Sequence, residues 1–238
     1  MLGIKEANEG EEPFLDSEKQ ERLDRLKFIR KVYGILSSQL VFTFGCIFLV
    51  KMVPGWDKVV QSLWPFAYLA MLIAFIIEMT LVCCKSCARR VPTNYVLLFL
   101  FTSCQALILS YASSYSSDLG VLGAAATTLG VTATLTGYAF YTKSDFTQYE
   151  ARICILSFAV VTLGLTLLFV SFDSWWHPLI SFLSILVYGL FIIHDTQLIA
   201  GGGKHKLGLD EYIVAALIIY IDIICMFTEL LKLCGSKS

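Results

Sequence analysis

Three acidic side chains stand deep inside apolar stretches. In "LVYGLFIIHDTQLIA" Asp195 has only His194, Thr196 and Gln197 as polar neighbours, Asp222 sits within "YIDIICMF", and Glu78 within "AFIIEMTLV". A fourth, Glu229, lies nearer the C-terminal end. An aspartate at the middle of a membrane helix costs about 3 kcal/mol on insertion scales, which makes such groups functional candidates. Two carboxyl groups at close range in a low dielectric do not ionise together; they share a proton and titrate as a pair. Loss of that proton leaves repulsion, or a place for a cation, and calcium takes hard oxygen ligands of this kind. Asp195 and Asp222 are therefore read as a pH-sensing pair that calcium can meet, with Glu78 and Glu229 as candidate pathway or coordination residues. The plainer alternative is a shared proton that pins two helices together. His194 adjoins Asp195, so on a helix it points about 100° away; it reads either as a pH sensor or, more plainly, as a satisfied packing histidine. Arg89 and Arg90 close the second apolar stretch, either as topological anchors or as a latch on the acidic site.

These residues can cooperate only if the elements around them bring them together. The chain has 238 residues, 57 % hydrophobic and 16 % charged, with a mean hydropathy of +0.72. Soluble domains carry about a quarter charged residues, so the balance points to a membrane protein. At roughly 20 residues per spanning helix, seven apolar stretches can be marked: 32–53, 62–84, 94–113, 119–141, 153–172, 176–200 and 212–234. The expected class is an all-α membrane protein of seven transmembrane helices. Residues 1–31 form an acidic and then basic leader, 32–234 the membrane domain and 235–238 a short tail. Counted along the helices, Asp195 and Asp222 both lie roughly 12–16 Å from the boundary marked by "GGGKHK", and Glu78 roughly 10 Å from the same side. Packed antiparallel, the last two spans would bring the aspartates to one depth, and Glu78 joins them if the second span packs alongside.

Lysine and arginine in alternate loops set the orientation. "KQERLDRLKFIRK", "KSCARR", "YTKSDFTQYEAR" and "GGGKHK" fall on one side, while "KMVPGWDK", "SSYSSD" and "FDSWWHP" are poorer in positive charge. The N-terminus is therefore expected to be cytoplasmic. The seventh stretch reads as a full span, although Lys232 and Lys237 then fall on the far side; a re-entrant segment would need burial in protein. The acidic opening "MLGIKEANEGEEPFLDSE" is expected to be disordered, and it lacks the basic start and apolar run of a signal peptide. Leu23, Leu26 and Ile29 could lay the leader along the membrane surface before it turns into the first span. Gly123, Gly130 and Gly137 recur every seven residues, a small-residue face that a neighbouring backbone could approach.

The eight cysteines, Cys46, Cys83, Cys84, Cys87, Cys104, Cys154, Cys225 and Cys234, lie mostly in apolar segments and do not form a secreted disulfide framework. "CCKSC" holds one CxxC, but no second CxxC or histidine pair completes a zinc site. Juxtamembrane cysteines can be palmitoylated, or serve simply as small apolar residues. No basic arm suggests nucleic acid, and no cofactor motif is present.

"FIRKVYGILSSQL", "YTKSDFT", "FIIHDTQLIA" and "LDEYIVAALIIYIDIICMF" together resemble the transmembrane Bax-inhibitor-motif family, most nearly its lifeguard and Golgi anti-apoptotic protein branch. The resemblance covers nearly the whole chain after residue 27. It implies a seven-helix fold with the last helix surrounded by the other six, and residence in Golgi or endoplasmic reticulum membranes. It further implies calcium leak from those stores and protection against apoptosis; apoptotic regulators or intracellular calcium channels are the partners that a non-conducting adaptor would bind. The family's pH-sensitive aspartates match Asp195 and Asp222, and Glu78 and Arg89 are the nearest counterparts of its acidic and basic residues around the second helix. A histidine stands at 194 where tyrosine is common, and the GGG after the sixth span is unusually loose. An intramembrane aspartyl protease would also use two aspartates on neighbouring helices, but the GxGD and PAL patterns of those enzymes are absent, so no enzymatic activity is expected. A non-conducting adaptor and a calcium/proton antiporter are the alternatives to a leak.

Overall fold

The computed structural model describes the backbone of residues 3–169 and 176–235 and the side chains of residues 18–167 and 176–235. In hydrocarbon every backbone N–H and C=O must be satisfied inside the protein, and for a long apolar run in a single chain the helix does this locally. The elements are α1 (Gly3–Met52), a short α2 (Trp56–Ser62), α3 (Trp64–Cys83), a short α4 (Lys85–Arg89), α5 (Thr93–Ser114) and α6 (Asp118–Tyr141). A 3₁₀ turn (Phe146–Tyr149), α7 (Glu150–Phe169), α8 (Trp176–Ala200) and α9 (Tyr212–Cys234) follow. Among the described residues seven helices are long and apolar enough to cross a membrane, α1 doing so from Glu18 onward. The seventh stretch is one unbroken helix of 23 residues, the length of a full span. Parts of the loop "FDSWWHP" and of the tail 235–238 lie outside the described residues.

α9 is the axis of the bundle. Of its most apolar window 67 % is buried, against 28 % for α8 and 11 % for the segment that contains α7. α1, α5, α6 and α8 form the wall around it, while α3 seats on α5 and α7 on α8. The wall is thus mainly four helices rather than the six that the resemblance implied, because α5 and α8 stand between α9 and the outer pair. Lipid tails are as apolar as leucine, so close packing and interhelical hydrogen bonds must hold such a bundle together. Phe44 meets Phe227 edge-on at 5.2 Å between centroids, and Phe101 meets Tyr220 at 6.0 Å. The Tyr220 and Thr43 hydroxyls lie 2.8 Å apart, and the Gln39 amide donates to Thr102 at 2.9 Å.

α1 corrects two expectations. Its backbone is helical from Gly3, where the acidic opening was expected to be disordered; Lys5, Glu6 and Ala7 are good helix formers. Nor does the leader turn before the first span. It continues straight into it, and its buried stripe is Phe28, Val32 and Leu36, whereas Leu23 and Leu26 are exposed.

The small-residue face of α6 also behaves differently from its reading. A Cβ added at Gly123, Gly130 or Gly137 would meet nothing within 4 Å. Close approach occurs one turn earlier, at Gly120, where a Cβ would stand 2.6 Å from the Cys234 carbonyl oxygen and 2.7 Å from Gly235 Cα. The Ser117 N–H donates to the Gly235 carbonyl at 3.3 Å beside this contact. Only glycine lets the start of α6 touch the backbone that ends α9. Gly120→Ala is expected to destabilise the protein by about 1–3 kcal/mol, while Gly130→Ala is tolerated. Paired melting temperatures of the detergent-solubilised variants check this, and equal losses at both positions would refute it.

Candidate functional site

α8 and α9 pack antiparallel along their length, and the two aspartates meet between them. Asp195 and Asp222 are 8 % and 7 % exposed, and their carboxyl groups are close enough for a shared hydrogen bond. Asp222 Oδ2 is buried without a partner. The depth match counted from the sequence thus becomes contact. Tyr188 and Cys225, with Glu229 further along α9, supply the other titratable groups around Asp222.

His194 departs from the plainer of its two readings. Its Nδ1 lies 2.7 Å from Asp195 Oδ1, and its Nε2 is buried without a partner. The side chain bends along the helix onto its neighbour's carboxylate, which rotation about the helix axis alone does not foresee. A buried imidazole and two carboxyl groups in series can hold, pass or release protons. The rest of the HDTQ segment builds the surroundings. Thr196 faces Tyr33 of α1. Gln197 accepts from the Phe146 N–H at 2.7 Å and donates to the Ser144 carbonyl at 2.9 Å, which fixes the α6–α7 connection to α8.

Further contacts tie down the loop between α8 and α9. The Arg25 guanidinium donates to the carbonyls of Leu207 and Leu198, each at 2.7 Å. Asp145 accepts from the Thr147 hydroxyl at 2.6 Å, from Gln148 at 2.9 Å and from the Lys204 backbone N–H at 2.9 Å. The triple glycine, which looks loose in sequence, is what lets both side chains in. A Cβ at Gly201, whose φ is +73°, would strike Arg25, and one at Gly203 would strike Asp145 at 2.6 Å. At the foot of α9 the Arg89 Nε meets Asp210 at 2.8 Å and its Nη2 meets Glu211 at 2.9 Å. Lys31 stands 3.2 Å from the centroid of the Tyr212 ring.

The predicted residues therefore separate. Arg89 makes a latch, but to Asp210 and Glu211, some 16 Å along the helix from Asp222 by residue count; Arg90 is not its partner in this. Glu78 is half-buried on α3 and acts on Cys225. Because α3 seats on α5, Glu78 does not complete a three-carboxylate group. Among the described residues no three His, Cys, Asp or Glu side chains gather where they could hold a metal ion. Glu229 accepts from Lys232 at 2.6 Å. Arg25, Asp145 and Gln197 were missed by sequence reasoning, though signals existed. Arg25 falls on the same stripe as Phe28, Val32 and Leu36, and Asp145 opens an Asx turn.

Fold and site define a class, a helical membrane protein with a buried carboxyl pair beside its central helix. Residues 25–238 match the family described as inhibitor of apoptosis-promoting Bax1, and the chain belongs to that family. It is 32 % identical to protein lifeguard 3 of Mus musculus over 235 residues, 98 % of this chain and 76 % of that protein. It is 33 % identical to protein lifeguard 3 of Homo sapiens, covering 94 % and 73 % of the two chains. Bax inhibitor 1 of Schizosaccharomyces pombe is 30 % identical, covering 89 % and 77 %.

Arg25→Ala removes two charge-assisted hydrogen bonds and is expected to lower stability by about 1.5–3 kcal/mol, read from thermal melts in detergent. Acid should loosen the same end. The side-chain hydrogen bonds from Thr147 and Gln148 and the Lys204 N–H hold Asp145 well below the usual carboxylate range. Burial pushes Glu211 up, but the Gly208 N–H and Arg89 outweigh it and hold it low. Groups depressed in this way contribute stability above their unfolded values and lose it as pH falls through the folded ones. The melting temperature should therefore drop below about pH 4, and Asp145→Asn should flatten that drop while lowering the neutral-pH value. An unchanged acid profile in the variant would remove Asp145 from this role.

Proposed function

We propose that this chain is a pH-sensitive calcium leak pathway of internal membranes, Golgi or endoplasmic reticulum, and that it inhibits apoptosis by lowering store calcium. The observation that carries the reading is the Asp195–Asp222 contact at the bundle axis, with one Asp222 oxygen left unpartnered. Two facing carboxyl groups that share one proton carry a single negative charge, spread over both; losing that proton doubles the charge, which a passing cation relieves. His194 extends the proton-handling group by one member. Calcium enters as cargo, met by Asp195 and Asp222 and, on the way, by Glu78 and Glu229, with no resident ion required. The names of the relatives, inhibitors of Bax and lifeguards, support the protective role. The basic loops at the Arg25 and Arg89 end support a cytoplasmic N-terminus, so the latch on Asp210 and Glu211 would face the cytosol.

Calcium flux into liposomes holding the purified protein, measured between about pH 6 and pH 8, tests this. The wild type is expected to leak more as pH rises, by up to about tenfold per unit for a one-proton switch. Asp195→Asn/Asp222→Asn should leak without that slope. If neither protein conducts while both fold, the pathway reading is wrong, and an adaptor acting through the leader and loops on apoptotic regulators or other channels takes its place. Flux that follows an imposed proton gradient, rather than local pH, would instead make the protein an antiporter.

A further inference from the structure

α3 ends at Cys83 and α4 begins at Lys85, so Cys84 alone carries the chain between them. Its backbone leaves the helical region, with φ −102° and ψ 86°. The Cys87 N–H then donates back to the Cys84 carbonyl at 3.0 Å and closes a single turn. That turn brings the two sulfurs to 3.2 Å, one thiol donating to the other. Cys83, although adjacent in sequence, is exposed, whereas Cys84 and Cys87 are half-buried. Both thiols are free, and their 3.2 Å separation exceeds the roughly 2.05 Å of a disulfide by a little over 1 Å.

The chemistry around the pair is uneven. The hydrogen bond between them holds Cys84 below the ordinary thiol range and pushes Cys87 above it. Arg90 acts on Cys87, while Arg89 beside it is engaged by Asp210 and Glu211. A zinc site is not supported, because no further ligands assemble among the described residues and zinc requires four.

We propose that Cys84 and Cys87 form a thiol–disulfide exchange site whose substrate is a small disulfide of the oxidised-glutathione type. The Cys84 thiolate attacks one sulfur of the substrate; the substrate S–S bond breaks and one thiolate leaves. Cys87, losing its proton to solvent, then attacks the Cys84 sulfur of the mixed disulfide and expels the second thiolate. Two protein thiols are oxidised to one disulfide, and one substrate disulfide is reduced to two thiols, which take up the protons released. Cys84, the one residue joining α3 to α4, is placed to attack, and Cys87 resolves because its sulfur already lies 3.2 Å away. The five-residue α4 that carries Cys87 also carries Arg89, so the exchange takes place within one turn of the contact that fixes the foot of α9.

Reduced full-length protein in liposomes, incubated with oxidised glutathione, alkylated and digested, tests the assignment by mass spectrometry of the peptide containing Cys83, Cys84 and Cys87. The wild type should lose two hydrogens through a Cys84–Cys87 link, keep Cys83 alkylated and retain no glutathione. Cys87→Ser should trap glutathione on Cys84. Cys83→Ala keeps both active sulfurs and should behave as the wild type, so the result does not depend on whether Cys87→Ser folds. A disulfide or adduct on Cys83, a persistent glutathione adduct on the wild type, or three alkylated cysteines would overturn the proposal.

Discussion

A carboxyl pair in the middle of a bilayer survives only when protein surrounds it on every side. That constraint explains why α9 is the most enclosed helix and why Asp222 lies on it. Enclosure demands neighbours that fit closely, and the rings of Phe44, Phe101, Tyr220 and Phe227 fill the space around the axis. It also demands that polar groups elsewhere in the bundle be paired, as Thr43 with Tyr220 and Gln39 with Thr102 are. The unpartnered oxygen of Asp222 is one of several such buried atoms, and His194 Nε2 is another in the same group. Buried groups without partners are costly, which is why one at the bundle axis carries chemical meaning.

The two ends of the bundle are organised differently. At the end bearing Arg25, Asp145 and Arg89, charged side chains reach across connections and hold backbone groups or each other. At the opposite end Lys51, only 6 % exposed at its side chain, gathers Asp57, Asp118 and the Ser116 carbonyl, while Gly120 and Gly235 bring backbone against backbone. α7 takes little part in either arrangement. It is the least buried span, and its sequence shows why: Ile155, Phe158, Val161 and Leu165 point outward as exposed apolar residues, a composition suited to lipid contact.

Much of this was legible from residue types and spacing. Apolar runs of spanning length set the helix count, and equal distances from one loop placed Asp195 and Asp222 at one depth. Those signals are local or one-dimensional, and they survive folding. What failed depended on which faces meet. Gly123, Gly130 and Gly137 form a stripe in sequence, but no helix comes to rest on it. Glu78 has a suitable depth, yet α3 was seated on α5. Arg89 reads from sequence as an anchor or as a latch on the deep acids, and its partners are instead Asp210 and Glu211, because charge alone does not distinguish these from carboxylates deeper in the membrane. His194 shows the finest limit, since a side-chain torsion overrode the angle set by helix geometry.

The Gly120–Gly235 contact has a mechanical consequence. Backbone atoms packed this tightly cannot slide past one another, whereas the side-chain bonds at the Arg89 end can break and re-form singly. α9 is therefore built like a rod with a fixed lower bearing and a releasable upper clasp. Any displacement that preserves the bearing must be a tilt, small near Cys234 and growing toward Tyr212. Asp222 sits near mid-rod, where a modest swing at the clasp becomes a fraction of that movement, a lever ratio set by the position of one glycine.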